Sequence, residues 1–172
     1  MLIDIEKDIE KEDQEETENI EFNHIENENV EKIKTLNEHL EGNEHPVTKV
    51  PFKRDTVELS DGRYIEGVFP EFESKADLFL PEEEYKESFY NQQKWLNERM
   101  SKLVDPSSSE YDESIAEKLT DEQIEDFKEG IMPEGLTWHH HQEEGLMQLV
   151  DSKIHESTNH TGGMSIWGRG HG

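Results

Sequence analysis

Residues 136–150 read LTWHHHQEEGLMQLV. Two short runs of strand-forming residues, 136–140 and 146–150, flank a polar turn that ends in glycine. Asp151 or Ser152 can then cap a helix, which residues 161–163 would end. The sequence therefore predicts the order strand, turn, strand, helix.

Histidine is concentrated in this unit. Five of the nine histidines in the chain fall inside 22 residues, and the chain has no cysteine. Imidazole is a common metal ligand and a general base, whereas disulfides and Cys-based zinc sites are excluded. We therefore expect a metal-dependent site in which the first strand and the helix bring their imidazoles to one pocket. The five are His139, His140, His141, His155 and His160.

Backbone geometry limits how these side chains can cooperate. Adjacent residues on a strand point to opposite faces, so His139 and His140 share one metal only where the strand ends. Otherwise one holds the metal and the other faces the substrate. His155 and His160 are five residues apart, not the four that align on a helix, so His160 should lie where the helix ends or distorts. The competing interpretation is an exposed polar strand end that binds metal fortuitously.

The segment after the helix is rich in glycine and contains Trp167. Residues 162–172 match neither the P-loop nor the dinucleotide fingerprint, which leaves a flexible tail or a phosphate-cradling loop as alternatives. Trp138 and Trp167 are predicted to pack around a small ββα core.

Upstream residues predict a mixed α+β fold. Asp61-Gly62 between two β-rich runs, 55–59 and 64–69, is typical of a hairpin. Pro81 and the acids after it predict a helix that runs to about residue 104. A further helix is predicted near 111–129, with a capping box at Thr120 that can split it in two. The first helix would bury Tyr85, Phe89, Trp95, Leu96, Met100 and Leu103.

Charge separates the chain into two parts. The net charge is -26, and residues 1–44 alone hold 16 acidic and 4 basic side chains. Helically spaced aliphatic residues among these acids predict a partly helical or disordered extension. It is either a solvated extension or a segment that masks a nucleic-acid surface or binds a partner. No apolar run is long enough for a transmembrane helix, and the first residues do not form a signal peptide.

Several of these motifs together resemble the WHH group of the HNH/endonuclease VII superfamily of nucleases. They are residues 137–140, 147–150, His155, 160–163 and 166–168, and the resemblance extends over about residues 45–168. It implies an HNH-like nuclease domain over residues 45–172. Its ββα-metal (His-Me finger) motif would span about 134–168 at the C-terminal end, preceded by a β-hairpin and helices. Members commonly form the toxin modules of bacterial polymorphic toxins and are neutralised by a cognate immunity protein.

The resemblance also implies roles for individual residues. His139, His155 and His160 would hold the metal, and His140 would be the general base. Gln148 lies where HNH enzymes often have the asparagine that orients the loop of the base, and we include it among the catalytic candidates. His141 receives no role. The metal would be a divalent ion such as zinc, magnesium, manganese or nickel, and imidazole ligands favour the transition metals.

The function implied is a metal-dependent endonuclease that acts on DNA in preference to RNA, as a bacterial toxin module. It would reside in the cytoplasm of the producing cell and be secreted or delivered to target cells, with no membrane partner. The alternative is a catalytically inactive relative that binds metal or protein. Charge favours the alternative, because only Lys153 and Arg169 are basic after residue 130. Three explanations of how so acidic a chain could act on nucleic acid stay open. Upstream basic residues gather beside the site, the acidic extension folds away or acts as an inhibitor, or the chain binds nucleic acid poorly alone. The upstream candidates are Lys49, Lys53, Arg54, Arg63 and Lys75.

Overall fold

Two three-stranded sheets and four helices build the part of the chain that the structure, a computed structural model, describes: residues 29–169. In the first sheet, β2 (Phe52–Glu58) and β3 (Tyr64–Pro70) pair antiparallel, and β1 (Val30–Lys32) lies parallel to the other edge of β3. The predicted hairpin is confirmed. Gly62 makes its turn with a φ of 91°, which glycine adopts without steric cost.

The second sheet contains the strands on which the histidine tract lies. β5 (Leu136–His140) and β6 (Leu146–Asp151) are antiparallel, as the sequence predicts. A strand that the sequence did not reveal, β4 (Ala76–Phe79), pairs with the other edge of β6. The order is therefore β4-β6-β5, with β6 central.

Four short helices surround this sheet: α1 (Phe89–Leu103), α2 (Glu113–Ala116), α3 (Asp121–Lys128) and α4 (Ser152–Ser157). The predicted start at Pro81 is wrong, because Glu82–Glu84 form only a 3-10 turn and the Ser88 hydroxyl caps a helix that begins at Phe89. The predicted end of the last helix is also wrong, since α4 stops at Ser157. The capping box of Thr120 and Gln123 is confirmed.

One face of the second sheet forms the main core. Trp138, Met147 and Leu149 pack there against Leu96 and Met100 of α1. The Trp138 indole Nε1–H donates to the Oδ1 of Asn97 at 2.9 Å, which satisfies the polar end of a large buried ring. Both predicted packing tryptophans are buried. The α+β class is thus confirmed, with α4 packed on β5 and β6.

Over residues 30–44 the N-terminal segment has no α-helix, in contrast to its predicted partly helical character. Residues 30–32 are the strand β1 and Glu38–Leu40 are a 3-10 turn, while residues 1–28 lie outside the described part. The domain boundary at residues 44 and 45 stays a prediction, although β1 joins the first sheet. No helix between residues 29 and 169 has the length and apolarity to cross a membrane.

Candidate metal centre and active-site cleft

The pairing of β5 with β6 assigns the two central histidines to opposite faces. His139 stands opposite Gln148 and His140 stands opposite Met147. Since side chains alternate along a strand, His140 shares the face of Trp138 and helix α1. His139 shares the other face, which α4 covers. One of these two histidines can therefore hold a metal while the other faces the substrate, as strand geometry predicts.

On the α4 face, three imidazoles converge. His139, His155 and His160 each offer a ligand atom, and these atoms all lie within 4.8 Å of one another. His155 is on α4, whereas His160 lies in the loop that follows, as its five-residue spacing predicts. His139 Nδ1 is 3.2 Å from His155 Nε2. We call these three residues the histidine triad.

The surroundings of the triad fit a bound cation. His139 is buried, and its Nε2 atom has no hydrogen-bond partner among the described residues. An unpaired buried polar atom costs roughly 1–3 kcal/mol unless a ligand satisfies it. His160 donates through Nδ1 to the Thr158 carbonyl at 2.6 Å. That bond leaves the lone pair on Nε2, as is usual for a metal-ligating histidine.

The phenyl ring of Phe72 packs against all three imidazoles of the triad. The ring centroid of Phe72 lies 4.8 Å from that of His139 and 5.2 Å from those of His155 and His160. Phe72 is itself buried in a small cluster with Val50 and Val150. This apolar backing excludes water on one side of the triad.

Burial keeps all these imidazoles neutral. Desolvation is the main cause that lowers the pKa of His139 far below its usual value, and the neighbouring His160 and His155 lower it further. Desolvation, reinforced by His160, lowers the pKa of His155 to about 4. Desolvation also lowers the pKa of His160, against the opposing effect of its bond to the Thr158 carbonyl. Neutral imidazole is the form that binds metal, so the triad is ready for a ligand near pH 7.

On the opposite face of β5, His140 meets the start of α1. Its Nε2 lies 2.7 Å from the Oε1 of Gln92, which is fully buried. Burial lowers the pKa of His140 to about 4. The ring also contacts Phe89 and Trp167, with centroid separations of 5.5 and 5.6 Å. His140 is therefore a neutral, tightly held imidazole.

A single cleft reaches both faces at the end of β5. Its volume is about 990 Å³, and the triad and His140 all lie on its wall. Lys34 and Arg169 are the basic side chains on that wall, and Glu87 is the acidic one. The rest of the wall is mainly apolar or small: Ile33, Thr35, Leu36, Phe89, Thr161, Gly162, Met164 and Ser165.

The basic residues expected beside the site lie elsewhere. Arg54 forms ion pairs with Glu41 and Glu66 on the first sheet, and Arg63 pairs with Asp61 in its turn. Lys49 and Lys75 line a different pocket, and Lys53 does not reach the cleft wall. Cationic side chains at the cleft come instead from the two ends of the described chain.

The two remaining sequence candidates are engaged in local structure. Gln148 shares the face of His139, but its Nε2 donates to Asp77 Oδ1 at 3.2 Å and it does not line the cleft. Its catalytic role stays a prediction, and it lies on the face opposite His140. The Nδ1 of His141 accepts the Glu143 backbone N–H at 2.9 Å, so this imidazole shapes the β5-β6 turn.

The glycines after the triad serve packing rather than flexibility. A Cβ on Gly163 would lie 2.0 Å from the His141 carbonyl oxygen and 2.3 Å from Trp167 Nε1. Trp167 donates from that nitrogen to the same carbonyl at 2.8 Å. This close approach fixes the loop of His160 against the end of β5.

The sequence did not predict several residues of the site, notably Gln92, Phe72 and Lys34. Gln92 had a signal, because it lies four residues before Leu96 on the buried stripe of α1, where an amide is unexpected. Phe72 and Lys34 lie in connecting segments without periodicity, so their place beside the triad and on the cleft wall was not predictable from spacing.

A family model described as the DNase/tRNase domain of colicin-like bacteriocin matches residues 61–162. This chain belongs to that family. The colicin-type match begins at the β2-β3 turn and includes the triad, His140 and Gln92. The chain is therefore a nuclease toxin domain. No curated protein and no solved structure matches it.

Residues 30–60 lie outside the colicin-type match but help to build its cleft. Lys34 and Leu36 stand on the cleft wall. Leu36 donates its backbone N–H to the Thr161 hydroxyl at 3.1 Å, and Asn37 Nδ2 donates to the Asn159 carbonyl at 2.7 Å. Both bonds hold the loop of His160.

Proposed function

We propose that this domain is a metal-dependent endonuclease that hydrolyses phosphodiester bonds, with DNA favoured over RNA. One observation carries the proposal: the triad, with its buried and unpartnered His139 Nε2, opens into the same cleft as the neutral His140. The order β5, β6, α4 with these residues supports an HNH-type ββα-metal site of the WHH kind.

In this proposal the roles divide along β5. His139, His155 and His160 hold a divalent cation, and three imidazoles leave positions open for other ligands. The bound ion supplies charge neutralisation for the phosphate and the leaving oxygen. His140 is the general base that takes a proton from the attacking water, because its low pKa keeps it unprotonated near pH 7. Lys34 and Arg169 offer positive charge for the flanking phosphates.

Partners and setting follow from the same proposal. A nuclease toxin endangers its producer, so we propose a cognate immunity protein that holds it inactive until delivery to a target cell. The ion would be zinc, nickel, manganese or magnesium, and an all-imidazole set favours the transition metals.

Cleavage of supercoiled plasmid and of transfer RNA, each with Mg²⁺, Mn²⁺, Ni²⁺ or Zn²⁺, tests the proposal. The wild-type domain should nick the plasmid. His140→Ala should lower cleavage by about 10²- to 10⁴-fold, as expected for loss of a general base, while zinc affinity persists. His139→Ala should lose both. His39→Ala, at an exposed histidine away from the cleft, is the matched control.

The second candidate is an inactive relative that binds metal or protein. The observation in its favour is charge, because among residues 29–169 only Lys34 and Arg169 place lysine or arginine side chains on the cleft wall. Failure to cleave either nucleic acid with every ion, by protein that still binds zinc, would establish this candidate. Cleavage of transfer RNA alone would leave the site intact and change the substrate.

A further inference from the structure

Gln92 is the one buried amide that touches the proposed base. It lies in the first turn of α1, where its backbone N–H makes the bond to the Ser88 carbonyl that opens the helix. Its side chain is fully buried and has three hydrogen-bond partners. Its nitrogen reaches back to the Glu84 and Tyr85 carbonyls, at 3.0 and 3.1 Å, and its oxygen faces His140 Nε2 at 2.7 Å.

These partners leave only one orientation for the amide. Carbonyl oxygens can only accept hydrogen bonds, so the group facing Glu84 and Tyr85 must be the amide nitrogen. The oxygen is then the atom that faces His140. Exchanging nitrogen and oxygen would place the amide oxygen against two carbonyl oxygens with no hydrogen between them.

The amide orientation in turn fixes the imidazole. An amide oxygen accepts and does not donate, so His140 Nε2 must carry a hydrogen. A neutral imidazole has one N–H, so the lone pair is on Nδ1. No residue in the range 29–169 hydrogen-bonds to this Nδ1, and it is not among the sealed polar atoms of the interior. His140 lines the cleft, so Nδ1 is the nitrogen open to it.

We infer that Gln92 is a positioning residue that holds the His140 ring with its proton on Nε2, so that Nδ1 accepts the proton of the attacking water. This inference rests on the proposed function, since it needs His140 to be the base. The backbone carbonyls of Glu84 and Tyr85 contribute to this positioning, because they accept hydrogen bonds from the Gln92 amide nitrogen and so fix the oxygen that faces His140. Gln92 touches neither substrate nor metal.

Two substitutions of Gln92 should have different effects on the His140 ring. Gln92→Met keeps the approximate volume but removes the acceptor, so the ring can protonate at either nitrogen. Gln92→Glu keeps an oxygen that accepts from Nε2–H but loses the paired donors to Glu84 and Tyr85. Both variants lose stability, yet only the first releases the tautomer. Asn97→Leu is the matched control, because it removes another buried amide of α1 that bonds to β5, at Trp138.

The experiment combines nitrogen NMR of His140 with plasmid-cleavage kinetics in Mg²⁺ and Ni²⁺, at a temperature where each variant is folded. In wild type and Gln92→Glu, Nδ1 should show the resonance of an unprotonated imidazole nitrogen. Gln92→Met should show a mixed tautomer and a kcat lower by about 10- to 100-fold, by analogy with the loss of a partner that orients a metal-ligating histidine. KM and zinc affinity should stay within about threefold, since the triad does not contact Gln92. Asn97→Leu should keep both wild-type tautomer and kcat.

Two results separate failure of this inference from failure of the proposed function. A Gln92→Met variant that retains the Nε2 proton or wild-type kcat overturns the positioning role, while His140→Ala stays inactive. A fully active His140→Ala overturns the assignment of the base itself, and the role of Gln92 falls with it. Equal loss of kcat in Gln92→Met and Asn97→Leu, with an unchanged tautomer, would show that Gln92 is merely structural.

Discussion

Asn37 donates its side-chain N–H to the carbonyl of Asn159 at 2.7 Å, although 122 residues separate them. The acceptor directly precedes His160, so the N-terminal segment holds the loop that carries one triad ligand. Asn37 itself adopts a left-handed conformation with φ 62°, which asparagine tolerates better than most residues.

Removing this bond should loosen the triad without unfolding the domain. Asn37→Gly keeps the left-handed backbone accessible but deletes the donor. A single hydrogen bond contributes about 0.5–1.5 kcal/mol, so zinc affinity measured by calorimetry should fall by about 2- to 10-fold. Asn43→Gly, which loses only a long local bond to Glu41, serves as the control. Equal affinities in the two variants would contradict the prediction.

Metal should stabilise the fold through the triad. A ligand at 100 times its Kd adds about 2.7 kcal/mol to the free energy of unfolding. For a domain of this size, that raises Tm by about 5–10 °C. Thermal unfolding in Zn²⁺ and in EDTA measures the difference. His155→Ala should abolish the zinc-dependent shift and His39→Ala should retain it; a shift that survives in His155→Ala would locate the ion elsewhere.

Metal-free protein should lose stability in mild acid. The pKa values of His140 and His155 fall from 6.5 to about 4 in the folded state. Below pH 6.5 the unfolded chain therefore binds protons that the folded chain does not, so the free energy of unfolding declines as pH falls toward 4. Above pH 7 these groups contribute no slope.

Urea unfolding in EDTA at pH 7.5, 6.5, 5.8 and 5.2 measures this decline before most carboxylates titrate. His155→Asn should flatten part of the slope, because it removes one of the buried imidazoles. A free energy that stays constant from pH 7.5 to 5.2 would argue against neutral buried imidazoles.

The close packing at Gly163 predicts a large local penalty for a methyl group. In Gly163→Ala the Cβ would overlap the His141 carbonyl and the Trp167 indole, so the loop of His160 must move. Gly130→Ala meets no neighbour and has only its left-handed φ of 76° against it, a cost of about 1–2 kcal/mol. Chemical unfolding should show the greater loss for Gly163→Ala, with reduced zinc affinity in that variant alone.

Much of the site was predictable because it depends on local rules. Alternation along a strand separates His139 from His140, and the five-residue spacing of His155 and His160 predicts that the two are not aligned on one regular helix face. The capping box at Thr120 and the Asp61-Gly62 turn are likewise short-range signals. Each of these features involves residues that are near one another in sequence, where periodicity and turn chemistry are informative.

The remaining features depend on distant contacts. β4 is only four residues long, with one side chain deeply buried, and becomes a strand because β6 offers it an edge. Val30 belongs to the helically spaced aliphatic residues of the N-terminal segment, but Val30–Lys32 form a strand that pairs with β3. Helix α1 starts late because Ser88 caps it and Gln92 ties its first turn to the preceding carbonyls. Tertiary partners overrode local propensity in the two strands, whereas the start of α1 depends on contacts within eight residues of the chain.

Trp138, which directly precedes the three histidines, helps to fix the register of β5 against β6. Three consecutive histidines leave the register of β5 weakly specified. If β5 slipped by one residue along β6, imidazoles would still lie on both the triad side and the α1 side of the strand. The same slip would turn the Trp138 indole out of the core and away from Asn97. The histidine repeat alone does not fix the register of β5, so burial of Trp138 determines which histidine is the proposed ligand and which is the proposed base.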